Sequence, residues 1–204
     1  MDLGLALTAV KASPLGTRSL RCEQKRAKLL VSRSATAYKD SCVRRAEPGV
    51  LGQPGDGLWT DESDVPVLAF AADCLPIALV RTDGDWPAVA VLHAGWRGLL
   101  GGILAAGVAA LGGRPRACIG PAIGPCCYEV GAELSEPFAE AFGADVVEKR
   151  KLDLRTAAER ALRAAGVVDV DHVELCTACN PELLFSHRRT GKPRGVQGVI
   201  ARVA

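Results

Sequence analysis

Three apolar runs stand close together near the middle of the chain: 66–72 (PVLAFAA), 76–80 (PIALV) and 88–92 (AVAVL). Their lengths suit strands, and runs this apolar predict a sheet covered on both faces. Short polar breaks separate them, with Asp73-Cys74-Leu75 after the first and His93 after the third. Residues 97–111 then read as one Gly/Ala-rich helix packed close against a neighbour. Residues 117–119 read as a short strand into a Gly/Pro turn, and 131–142 as an amphipathic helix. Asp153 is an expected N-cap for a helix over 154–165, with Gly166 past its end. Late strands are expected at 172–175 and 199–203. Strands and helices do not alternate strictly, so the predicted class is α+β with mixed sheets covered by helices.

Residues 1–50 lack this patterning, and 47–57 (EPGVLGQPGDG) reads as a loop. The chain divides accordingly into a basic segment 1–50 and a patterned domain 51–204. Charge follows the same division. The first segment holds ten Lys/Arg against four acids, and the rest fifteen against nineteen. A basic arm can touch phosphate, but only Tyr38 offers it a stacking ring. A solvated tail is the expectation, with no nucleic-acid partner. The apolar start at 3–10 follows Asp2 rather than a basic region and is not read as a signal peptide. No run is long enough for a membrane span, and a cytoplasmic protein with reduced thiols is expected.

Composition narrows the chemistry. Eight cysteines in 204 residues do not make a small disulfide scaffold, and three histidines cannot hold a multi-copper cluster. Cys74 and His93 each close an apolar strand, where zinc ligands are rigidly held. The string His93-Ala94-Gly95-Trp96-Arg97-Gly98 adds an aromatic face and a guanidinium beside two glycines. Trp96 suits a flat ligand and Arg97 an anion. Cys126-Cys127-Tyr128-Glu129 offers two thiols, a hydroxyl and a carboxylate. Cys176-Thr177-Ala178-Cys179 is a single C-x-x-C. It makes a four-thiolate zinc site with Cys126 and Cys127 only if the two pairs meet in space. Arg188 and Arg189, beside His187, suit an anionic ligand.

Taken in order, Ala72-Asp73-Cys74-Leu75-Pro76, then 93–98, then 123–130 (IGPCCYEV), then Asp153-Leu154, Cys176-Thr177 and 185–189 (FSHRR) resemble the YfiH-type family of laccase-domain proteins. The resemblance covers about residues 56–204. It implies a YfiH-like, cytotoxic-necrotizing-factor-like fold. It also implies a zinc-dependent purine nucleoside phosphorylase acting on adenosine, inosine or methylthioadenosine with phosphate, with adenosine deamination as a side activity. Cys74 and His93 are the implied catalytic metal ligands. Trp96, Arg97, Cys126, Cys127, Tyr128, Arg188 and Arg189 are the candidate substrate-binding residues. The family's other metal-binding histidine lies upstream in a Gln-Val-His-Gly string, and here no histidine precedes Cys74. Either Cys126 or Cys127 is a candidate replacement. A diverged segment, a wrong start and a shifted reading frame each fit the unpatterned 1–50. A catalytically inactive relative and a copper-dependent polyphenol oxidase are the alternative functions.

Overall fold

A computed structural model describes residues 30–32, 41–48, 54–84, 86–192 and 195–203. Most of segment 1–50, Tyr38 included, lies outside them.

The strands are β1 (Leu30–Ser32), β2 (Val43–Arg45), β3 (Gly57–Thr60), β4 (Val67–Ala71), β5 (Leu75–Arg81), β6 (Ala88–Ala94), β7 (Arg116–Ile119), β8 (Val147–Glu148), β9 (Lys151–Leu152), β10 (Val170–His172) and β11 (Gln197–Ala201). The helices are α1 (Trp96–Leu100), α2 (Ile103–Leu111), α3 (Ala132–Phe142), α4 (Leu154–Ala164) and α5 (His187–Thr190). A six-stranded sheet runs β10-β7-β5-β6-β3-β2, a three-stranded sheet runs β1-β4-β11, and β8 pairs with β9. Both larger sheets mix parallel and antiparallel pairs. The α+β expectation with mixed sheets is met.

The expectation of a sheet covered on both faces is met by β5 and β6. Leu75, Ile77 and Leu79 of β5, with Ala90, Leu92 and Ala94 of β6, pack with α2 and α4 residues such as Leu104 and Leu162. The alternate residues Ala78, Val80, Val89 and Val91 pack with Val67, Ala69, Val199 and Ala201 of the smaller sheet. Period-two alternation thus serves two apolar cores, which is why these strands carry almost no polar residues.

The structure divides the helix expected over 97–111. Gly101 closes α1, and Gly102 adopts φ +80 before α2 begins. That left-handed conformation suits glycine and ends the first helical path. Asp153 caps α4 as expected, its side chain accepting from the N–H groups of Arg155 and Thr156. Strand β10 begins two residues earlier than the pattern suggested, and β11 likewise. Strands β2 and β3 have no counterpart in the apolar pattern. Strand β2 (VRR) is the sheet edge, where polar residues are allowed, and β3 (GLWT), paired between β6 and β2, is only four residues long.

Candidate active site and thiol cluster

Cys74 and His93 meet because β5 and β6 pair antiparallel, with Pro76 opposite His93 and Leu75 opposite Ala94. Cys74 immediately precedes β5, and His93 is the penultimate residue of β6. Gly95 follows, and a Cβ there would lie 2.9 Å from Cys74 Sγ. The first glycine of the His93–Gly98 string therefore lets the chain pass beside the thiol.

His93 Nδ1 lies 3.2 Å from Asp56 Oδ1, and the His93 N–H donates to the Asp56 carbonyl at 2.7 Å. Burial acts to lower the His93 pKa. Hydrogen bonds to Asp56 and Cys74, with the electrostatic pull of these two neighbours, outweigh it and raise the value from 6.5 to about 9. A carboxylate on the far nitrogen is the arrangement that orients a metal-binding imidazole.

Asp73 forms the adjoining wall. It is buried and adopts φ +90, uncommon for a side-chain-bearing residue. Its carboxylate accepts from the Thr177 hydroxyl at 2.6 Å and from the Arg188 backbone N–H at 2.6 Å. Its own carbonyl accepts from Ile123 N–H. Three distant segments therefore converge on the residue before Cys74.

Two cation–ring pairs flank this centre. Arg97 Cζ stacks 4.0 Å from the Trp96 ring centroid, and Arg188 Cζ lies 5.2 Å from that of Tyr128. Tyr128 is held protonated: burial, then the charge of Cys74, push its pKa to about 12, against the opposing effect of Arg188. Tyr128 thus senses Cys74, Asp73, Arg97 and Arg188 together. Arg189 is engaged differently. Its guanidinium donates to the carbonyls of Thr177, Ala178 and Leu184.

Cys126 and Cys127 gather with Cys176 and Cys179, and the four sulfurs all lie within 4.8 Å of one another. Cys179 Sγ is 3.6 Å from Cys126 Sγ and 3.4 Å from Cys127 Sγ. The four-thiolate alternative required the two pairs to meet, and they do. Burial would raise the Cys176 pKa, but N–H groups from Gly124, Cys179 and Ala178 bring it down to about 7. Cys127, pushed up by burial and by its thiol neighbours, rises to about 12.

The other histidines stand apart. His172 Nε2 lies 3.1 Å from Glu159, and His187 opens α5 at the surface. Glu129 pairs with Arg150 and Lys151. Sequence reasoning missed Asp56 and Thr177. Asp56 sits in a Gly/Pro-rich stretch that reads only as loop. Thr177 lies within the C-x-x-C, where the cysteines draw the attention.

Comparison with known proteins agrees with this architecture. The family described as multi-copper polyphenol oxidoreductase laccase matches residues 19–203. A Xylella fastidiosa protein named purine nucleoside phosphorylase is 40% identical over 165 residues, covering 75% of this chain and 61% of that protein. Escherichia coli purine nucleoside phosphorylase YfiH is 34% identical over 160 residues, covering 74% of this chain and 65% of that one. The crystal structure of YlmD from Geobacillus stearothermophilus superposes with a TM-score of 0.75 at 29% identity, over 87% of this chain and 74% of that chain. The chain spans about three-fifths of the length of curated relatives that it matches. With a family match over nearly all of its length and relatives 34–40% identical over about three quarters of it, the chain belongs to the multi-copper polyphenol oxidoreductase laccase family.

Proposed function

We propose that the chain is a purine nucleoside phosphorylase-type protein that binds a purine nucleoside and phosphate at the Cys74/His93 centre. The observation that carries this reading is the pair of guanidiniums, Arg97 and Arg188, each stacked on an aromatic ring beside that centre. An anion and a flat base are the two things such pairs recognise. The names of the relatives support the same substrates.

In phosphorolysis a phosphate oxygen forms a bond to C1′ of the ribose. The C1′–N9 bond breaks, its electron pair leaves with the purine, and the purine takes up a proton. Arg97 and Arg188 bring positive charge that binds and orients the phosphate, while the negative charge that develops falls on the departing purine and is relieved by its proton. Trp96 and Tyr128 offer faces to the base. The Tyr128 hydroxyl keeps its proton through neutral pH and acts as a hydrogen-bond donor. In this reading Cys126 and Cys127 shape the site through Tyr128, which follows them in the chain.

Zinc is the metal that fits a thiolate and an imidazole, and Asp56 behind His93 is the partner such an imidazole uses. When bound, it would supply Lewis-acid stabilisation or an activated water, the latter suited to adenosine deamination. A catalytic zinc takes three protein donors, however, and Cys74 and His93 are two. No histidine precedes Cys74 in the sequence, so the pair by itself does not complete the site.

That missing donor favours a second reading, a family relative that binds nucleosides without turning them over. Copper chemistry on phenols has the family's description behind it but only three histidines to work with. Both nucleoside readings suit the cytoplasm. Incubation of the purified chain with inosine and phosphate decides between them. Phosphate-dependent release of hypoxanthine supports the phosphorylase. Saturable inosine binding without release supports the inactive relative, and neither binding nor release overturns both.

A further inference from the structure

The four-cysteine cluster lies outside the chemistry derived for Cys74 and His93. Its geometry is that of a metal clamp. Tetrahedral thiolates around zinc, at Zn–S distances of about 2.3 Å, stand about 3.8 Å apart. The four sulfurs already lie within 4.8 Å of one another, with two of the separations at 3.4 and 3.6 Å. Each arm is a tight turn that aims its cysteines inward. In one, the N–H groups of Cys127 and Tyr128 both donate to the Gly124 carbonyl. In the other, Asn180 Nδ2 donates to the Cys176 carbonyl, closing the C-x-x-C turn.

Two further features suit a charged thiolate centre. The Gly124 N–H donates to Cys176 Sγ at 3.2 Å, a bond that stabilises a thiolate without competing for the metal. Arg189, fixed on the carbonyls of Thr177 and Ala178, puts a permanent positive charge between Cys176 and Cys179 in the chain. Four thiolates on one divalent ion carry a net charge of −2, which that guanidinium partly offsets.

We propose that Cys126, Cys127, Cys176 and Cys179 hold one zinc ion as a structural site distinct from the Cys74/His93 centre. As each Zn–S bond forms, a thiol proton passes to solvent, and no atom changes oxidation state. The ion ties two turns some fifty residues apart in sequence. Tyr128 follows one arm directly and Thr177 lies within the other, so the clamp fixes both side chains against the Asp73–Cys74 wall. This assignment does not rest on the phosphorylase reading and stands equally for an inactive relative.

The test uses the full chain, purified under reducing conditions without chelator. Zinc is measured in the parent, in Cys74→Ala and in the double variant Cys126→Ser/Cys179→Ser. The expected result is about one equivalent of zinc retained in Cys74→Ala and lost from the double variant. Because the double variant can fail to fold, cobalt(II) is also titrated into metal-stripped parent and Cys74→Ala. Intense thiolate-to-cobalt charge-transfer absorption of four-sulfur strength is expected in both. Loss of all metal in Cys74→Ala overturns the assignment. So does weak cobalt absorption in the parent, or a disulfide among these four cysteines in the reduced preparation.

Discussion

The Thr177 hydroxyl donates to Asp73 Oδ1 across 104 residues of sequence, at 2.6 Å and fully buried. It joins the C-x-x-C turn to the residue that presents Cys74. The carboxylate has a second donor in the Arg188 N–H, so it holds two segments at once. Removing the hydroxyl with Thr177→Val leaves one lone-pair set of a buried anion unsatisfied. A loss of about 1.5–3 kcal/mol is expected, the range for hydrogen bonds to charged groups. Urea unfolding measures it, and a change within about 0.5 kcal/mol, the range of an ordinary surface substitution, contradicts the role.

Gly95→Ala tests the close passage beside Cys74. The backbone at Gly95, φ −83 and ψ 179, accepts alanine without strain, so the fold should survive. The new Cβ would meet Cys74 Sγ at 2.9 Å and push the thiol aside. Metal affinity at the Cys74/His93 pair should fall at least about tenfold, the low end for a disturbed ligand sphere. Zinc titration of the parent and of Gly95→Ala, with Cys74→Ala as the reference for the cysteine cluster, reads that pair by difference, and unchanged affinity there removes the argument.

Much of this arrangement was legible in the chain, and the reasons differ by element. Strands β4, β5 and β6 announced themselves because both of their faces are buried, leaving no room for polar residues. The site strings were legible because glycine, tryptophan and arginine in one short stretch serve no packing need. Asp56 was not, since only the antiparallel β3–β6 pairing brings it to His93, 37 residues away. The break between α1 and α2 was present as Gly101-Gly102, but the apolar pattern on either side continues through it. Meeting of the two cysteine pairs was conditional in sequence, because no local spacing can show that two turns touch.

His93 makes the metal-free protein sensitive to pH. Its folded pKa of about 9 exceeds the unfolded value of 6.5, so protonated His93 favours the folded state. That contribution is fully present below about pH 6.5 and is lost as pH rises through about 9. It amounts to at most about 3 kcal/mol by linkage. In Asp56→Asn the main hydrogen-bond partner loses its charge, and the His93 midpoint should move down toward 6.5. Histidine proton resonances of chelator-stripped protein follow the titration directly. A His93 midpoint unchanged in Asp56→Asn contradicts the assignment of the shift to Asp56.

Three arginines lie near the site, and the structure separates their work. Arg97 and Arg188 rest on aromatic faces and, among the described residues, keep guanidinium donors for a ligand, although Arg188 also donates to the Glu129 carbonyl. Arg189 spends its donors on three backbone carbonyls around the C-x-x-C turn. Arg97→Gln and Arg188→Gln should therefore each weaken phosphate binding roughly tenfold, equivalent to about 1.4 kcal/mol, with little change in unfolding midpoint. Arg189→Ala should do the reverse, lowering stability by about 1–2 kcal/mol as three carbonyls lose their donor. Its direct effect on phosphate affinity should be smaller than that of either glutamine variant. Calorimetric titration with phosphate, alongside urea unfolding of the same preparations, gives both readouts. Equal loss of affinity in all three variants would show that Arg189 also faces the anion.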